Sequence, residues 1–186
     1  MSLPTHPTIN LSSGVVDILQ LKNVHLMNCA ISSDDGSALM EVPLHESGVE
    51  NSYQARVVDN SKAVSPSRTC AVELRSLDSI FHELSKNPTF IKCDVEGHEL
   101  SVIKGAAQIM RRYCPAWLIE VSGDPDMAGS AASEVFRRLR EVKYRGYWFD
   151  GKRLRMRAWG DRPVNYFFLQ PWHVKQMQCS GMEVTN

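Results

Sequence analysis

The stretch Phe90-Ile91-Lys92-Cys93-Asp94-Val95-Glu96-Gly97-His98-Glu99-Leu100 starts as a short apolar run, breaks at two carboxylates and a glycine, and takes on helical patterning at once. An apolar run that stops at acids places polar groups at the carboxyl edge of a sheet, where open parallel sheets bind their ligands. Downstream, Leu100, Ile103, Ala107 and Met110 recur at intervals of three and four, which predicts an amphipathic helix over 98–112. Cys114-Pro115 ends it, because proline cannot continue the turn. The next apolar run, 116–121, again finishes on a carboxylate, Glu120, before the loop Ser122-Gly123-Asp124-Pro125. If these two strands are neighbours, Asp94 and Glu120 stand side by side.

Residues 130–142 read as a further helix, with Val135, Leu139 and Val142 on one face and Gly146 closing it. Strands at 147–149 and 164–169 then flank a basic turn region, 151–162. From Phe90 onward the order is strand, helix, strand, helix, strand, strand, which implies parallel crossover units finished by an antiparallel pair. Upstream, Leu77, Ile80, Phe81 and Leu84 mark a short helix. Residues 13–21 suggest another, capped by Ser12 or Ser13. Strands are expected at 24–31 and 38–42, around the turn Ser33-Asp34-Asp35-Gly36, and 46–69 reads as a loop or irregular hairpin.

At 186 residues the chain fits one domain, and 43% hydrophobic with 23% charged residues is the composition of an ordinary soluble globular protein. Lys plus Arg equals Asp plus Glu at 21 each, so no global field draws the chain to nucleic acid or anionic lipid. Five scattered cysteines form neither a C-x-x-C pair nor a zinc-spaced cluster, which favours reduced thiols and a cytoplasmic setting. The first ten residues have no apolar core of a signal peptide or membrane helix.

Ile91-Lys92-Cys93-Asp94-Val95-Glu96-Gly97-His98-Glu99, then Val102-Ile103-Lys104-Gly105-Ala106, then Pro115 through Glu120, resemble the signature of the FkbM family of S-adenosylmethionine-dependent methyltransferases: I-K-x-D-V-E-G-x-E, L-K-G-A and P-x-x-x-x-E at the same spacing. The resemblance implies an α/β, Rossmann-like methyltransferase fold with a mostly parallel sheet and an antiparallel carboxyl-terminal hairpin. It also implies S-adenosylmethionine as cofactor and a hydroxyl oxygen, on a small molecule or glycan, as methyl acceptor. No G-x-G occurs among the eleven glycines, so the glycine-rich strand and turn that open this fold are missing and the fold is expected to be incomplete at its amino terminus. The expected division is a segment at 1–22, the methyltransferase-like domain at 23–172 and a flexible tail at 173–186. Apolar edges left by the missing strands would favour a homo-oligomer.

Asp94, Glu96 and Glu120 are the candidate catalytic groups. A strand-end carboxylate can approach a sulfonium cation or orient a hydroxyl, although Asp94 could equally cap the following helix. Glu96 lies where a helix dipole favours negative charge without any chemistry. Glu120 could share a substrate proton or a metal with Asp94, or pair with Lys92 or Lys104; no metal ligand set is assigned. Gly97 serves the turn, Glu99 fits a structural first-turn acid, and His98 is a weaker candidate base. For the cofactor, the resemblance points to Asn28, Ala30 and Ile31 at the end of the first strand, and to Cys93. The plain alternatives are a strand end for the first three and a core position for Cys93. The run Lys152-Arg153-Leu154-Arg155-Met156-Arg157 alternates charge and apolar residues, as a strand with one cationic face or a solvated hairpin would. Besides the methyltransferase, two readings stand: a non-catalytic interaction or dimerisation module of the same family, and a metal-dependent hydrolase using the three acids.

Overall fold

The computed structural model describes residues 14–43, 56–58 and 67–185. It divides into two compact units, Met1–Arg75 and Ser76–Asn186. In the first, helix α1 covers 14–18; its expected caps, Ser12 and Ser13, lie outside the described residues. Strands β1 (Ala30–Ile31), β2 (Gly36–Pro43), β3 (Arg56–Val58) and β4 (Ser67–Arg75) form a sheet in the order β1-β4-β2-β3. Only the last two residues of the strand expected at 24–31 pair, in parallel with Leu74 and Arg75; residues 24–27 are exposed. Of the loop expected at 46–69, residues 46–55 and 59–66 lie outside the described residues, and the rest is strand. In β4, Val72 is buried between exposed Ala71 and Glu73, the alternation of a half-buried strand.

The second unit opens with α2 (Leu77–Leu84), whose first amides meet the Ser76 side chain: Ser79 N–H donates to Ser76 Oγ at 3.1 Å. After β5 (Phe90–Cys93), the single helix expected over 98–112 is two, α3 (Glu99–Lys104) and α4 (Ala107–Arg112). The break has a cause thirty positions upstream. Asp78 accepts the amides of Gln108 and Ile109 at 2.9 Å each, and its own amide donates to Gly105 O at 2.9 Å. This one carboxylate thus caps α4 in place of a neighbouring side chain.

Strand β6 (Ala116–Glu120), helix α5 (Ala131–Glu141), strands β7 (Arg145–Phe149), β8 (Leu154–Met156) and β9 (Asn165–Leu169), helix α6 (Pro171–Cys179) and strand β10 (Val184–Thr185) follow. The sheet order is β10-β8-β7-β9-β6-β5. The expectation of a mostly parallel sheet is corrected here. β5 pairs β6 and β8 pairs β10 in parallel, but β6–β9, β9–β7 and β7–β8 are antiparallel. The crossover strands β5, β6 and β7 still point one way. β9 inserts between β6 and β7 rather than closing the edge, so two parallel neighbours are replaced by antiparallel ones.

Gly146 does not close α5. That helix ends at Glu141, the chain turns at Lys143 with φ 68°, and Gly146 lies inside β7, where a Cβ would stand 2.7 Å from Phe136 Cε1. The missing side chain lets α5 sit close on the sheet, with the Phe136 ring 4.8 Å from Phe168 and 5.0 Å, edge-on, from Tyr166. On β6, Trp117 and Ile119 are fully buried. Residues 173–186, expected as a tail, hold most of α6 and all of β10; α6 starts at Pro171 with a reciprocal Gln170–His173 cap.

Burial pushes two imidazoles below their ordinary range: His98, against the opposing pull of Glu99, and His173, against the opposing pull of the Cys114 backbone. Both groups take up protons more readily when unfolded. Their contribution is fully present above the unfolded value, near pH ~6.5, and is lost as pH falls from there through the lowered folded values. Thermal melting is therefore expected at a lower temperature at pH 5.5 than at pH 7.5; an unchanged midpoint would contradict it.

Candidate functional site

The pairing of Cys93 with Ile119 between parallel β5 and β6 makes the next residues on each strand, Asp94 and Glu120, neighbours on one rim. Glu96 joins them: each of the three offers one carboxylate oxygen, and these oxygens all lie within 4.8 Å of one another. Asp94 and Glu96 are exposed and Glu120 is half-buried. The sequence-derived acids are thus brought together, at a spacing that a cation or a substrate proton could bridge.

Their surroundings differentiate them. Lys92 Nζ donates to Asp94 Oδ2 at 2.6 Å, and this bond, reinforced by the charge of Glu120, pushes the lysine pKa up. The Glu120 side chain makes no hydrogen bond or ion pair among the described residues. Of the two cations considered as its partner, Lys92 binds Asp94 instead, and Lys104 is exposed in the last turn of α3. Glu96 sits in the left-handed region at φ 48°, followed by Gly97 at φ 92°. The first is uncommon for a residue with a side chain, and such strain persists only where the surroundings hold it.

Glu99 supplies that hold. Only 3% exposed, it accepts the Gly97 amide at 2.7 Å and the Ser122 hydroxyl at 3.2 Å. One buried carboxylate therefore ties the loop after β5 to the loop after β6. This confirms a structural role for Glu99 but enlarges it. The signal was present in Glu-Gly-x-Glu, an acid placed to reach back to the preceding amide, whereas the Ser122 partner is set by the fold alone. His98 is half-buried, its imidazole lowered by burial.

Cys93 is 3% exposed, and burial pushes its thiol up to about 12, so it is a neutral sulfur packed behind the rim. Asn28, Ala30 and Ile31 belong to the first unit, each half-buried, the latter two forming β1.

The basic run does not present a free cationic face. Arg153 pairs with Glu183 at 2.9 Å and Asp150 at 3.4 Å, Arg155 lies 3.8 Å from Asp150 and over the Trp148 ring, and Arg157 pairs with Asp126. Sequence reasoning missed Asp126. Its carboxylate also receives the Gly160 amide at 2.9 Å and Arg162 at 2.5 Å. Burial pushes its pKa up, but the bonds from Arg157, Gly160 and Arg162 outweigh that and hold it at about 2. The loop after β6 is thereby fastened to the segment after β8.

The second unit is a mixed α/β fold with acids gathered at the ends of adjacent parallel strands, the position at which open α/β sheets commonly bind ligands. The model of the methyltransferase FkbM domain matches residues 7–146, and the chain belongs to this methyltransferase family. Among solved structures it is similar to the methyltransferase FkbM from Methylobacillus flagellatus KT, with a TM-score of 0.50 and 15% identity, a likeness of fold. The match covers 89% of this chain and 34% of that one, so the chain spans about a third of its relative's length. No curated protein matches it. Among the described residues, no helix is long and apolar enough to cross a membrane.

Proposed function

We propose that this chain acts in methyl transfer from S-adenosylmethionine to a hydroxyl oxygen of a small molecule or glycan, with Glu120 as general base and Asp94 and Glu96 positioning the acceptor. The observation that carries the reading is the convergence of the three carboxylates on one rim in a chain of the methyltransferase family. When bound, the cofactor supplies an electrophilic methyl group on a positively charged sulfur. The donor set fits it, since clustered carboxylates attract a sulfonium. In the first unit the residues proposed for cofactor contact are Asn28, ahead of β1, and Ala30 and Ile31 within it; in the second unit the proposed residue is Cys93 at the end of β5.

The local bonds divide the roles. Asp94 is anchored by Lys92, which suits a carboxylate that accepts and orients a hydroxyl without taking its proton. Glu120 has free oxygens beside it and accepts that proton as the oxygen attacks; a positioned base typically contributes ~10²–10⁴-fold. Glu96, held on a strained turn braced by Glu99, fixes the acceptor's second contact. Holding reactants in line supplies much of the remaining acceleration.

Calorimetric titration with S-adenosylmethionine tests the cofactor directly. Saturable heat from the folded chain is expected, and its absence would favour a non-catalytic interaction module. In parallel, magnesium and manganese titrations are expected to give no saturable binding, because Lys92 already neutralises Asp94. Tight binding of either ion would move the reading to metal-assisted hydrolysis at the same three acids.

A further inference from the structure

A cleft of about 480 Å³ opens in the second unit where the end of α5 meets β7, β8 and β9, its walls including Phe136, Arg140, Arg145, Gly146, Arg157 and Phe168. Gly146 and Trp117 both pair with Phe168, whereas Glu120 pairs with Asn165, three residues along β9. At about 3.3 Å per residue the cleft lies roughly 10 Å from the acid rim, toward the amino ends of β6 and β7. Its volume falls within the ~300–1,000 Å³ typical of small-molecule sites.

Its chemistry is opposite to that of the rim. No carboxylate lines it. On α5, Arg137 and Arg138 are neutralised by Glu134 and Glu141, and the arginines of the 152–157 run have carboxylate partners of their own. Arg140 and Arg145, by contrast, are exposed and form no ion pair among the described residues. Two guanidiniums without ion-pair partners therefore stand at a cleft that half-buried Met156 and the edge of Phe136 also line, with Phe168 almost fully covered behind them. Guanidinium forks match the planar or tetrahedral oxygens of carboxylates and phosphates.

We propose that this cleft binds a small organic oxyanion, an aromatic or flat apolar body lying against Met156 and the edge of Phe136 with a phosphate or carboxylate held by Arg140 and Arg145. This assignment is independent of methyl transfer at the acid rim. To test it, phenyl phosphate, benzoate, inorganic phosphate and phenol are titrated into the full chain and followed by backbone amide chemical shifts and calorimetry. At least one of the two aryl anions is expected to bind saturably, with shifts centred on Gly146 and Phe168, and the tighter of the two identifies the preferred oxyanion. Inorganic phosphate and phenol, each lacking half of the ligand, are expected to bind at least roughly tenfold more weakly. Replacing Arg140 and Arg145 together by glutamine is expected to weaken aryl-anion binding at least about tenfold without changing the melting temperature, both side chains being exposed. The proposal is overturned if neither aryl anion gives saturable shifts, if the shifts centre elsewhere, if phenol binds as tightly as the aryl anions, or if the double variant keeps its affinity.

Discussion

Methyl transfer by the Glu120→Gln variant is expected to be slower by about 10²–10⁴-fold, with the fold and the melting temperature nearly unchanged. Glutamine keeps the shape of the side chain and an acceptor oxygen, so the acceptor alcohol can still dock; what is removed is the capacity to take the proton. The loss should therefore appear in kcat rather than in KM. Asp94→Asn separates the two roles. That change weakens the Lys92 contact at 2.6 Å and should raise KM if Asp94 has the orienting role proposed for it. Full activity in Glu120→Gln, or a kcat loss confined to Asp94→Asn, would exchange the roles or remove the base from this rim.

Glu99→Ala should do damage of a different sort, lowering stability by about 2 kcal/mol while cutting turnover on the order of 10²-fold. The carboxylate is almost fully buried and receives two donors from two different loops. Its removal leaves the Gly97 amide and the Ser122 hydroxyl without their acceptor and frees the left-handed turn at Glu96. Glu96 and Glu120 then no longer keep a fixed separation, and a displacement of about 1 Å at reacting groups is enough for such a loss. Glu99→Gln retains an acceptor oxygen and should be milder on both counts. Melting curves and steady-state kinetics on the pair read the two effects separately; an Ala variant as stable and as active as the parent would show that the brace is dispensable.

The rim was legible because its information is local. Two apolar runs each ending on an acid, Cys93-Asp94 and Ile119-Glu120, predict strand ends, and adjacency of the strands does the rest. Helices α2 and α5 were legible for a similar reason, through Leu77, Ile80, Phe81 and Leu84 and through Val135, Leu139 and Val142, whereas their caps Ser76 and Ser130 are set out by the structure. What the sequence hid depends on residues far apart in the chain. The insertion of β9 between β6 and β7 cannot be read from any window, since each strand's pattern is compatible with either neighbour. Gly146 looked like a helix stop because glycine usually is one, yet here it is required by the close approach of Phe136. The arginines of the basic run looked like surplus charge until Asp126 and Glu183 from distant segments and Asp150 beside the run came to meet them, whereas Arg140 and Arg145 form no ion pair among the described residues. β4 was obscured by the polar stretch before it, although its alternation around Val72 was in plain view.

Asp78 ties the start of α2 to the start of α4 across thirty positions. A six-residue helix cannot nucleate alone in water, so α4 has no persistent existence until the chain has closed that long loop and delivered the carboxylate. Formation of α4 is thus coupled to a contact across thirty positions rather than to its own six residues.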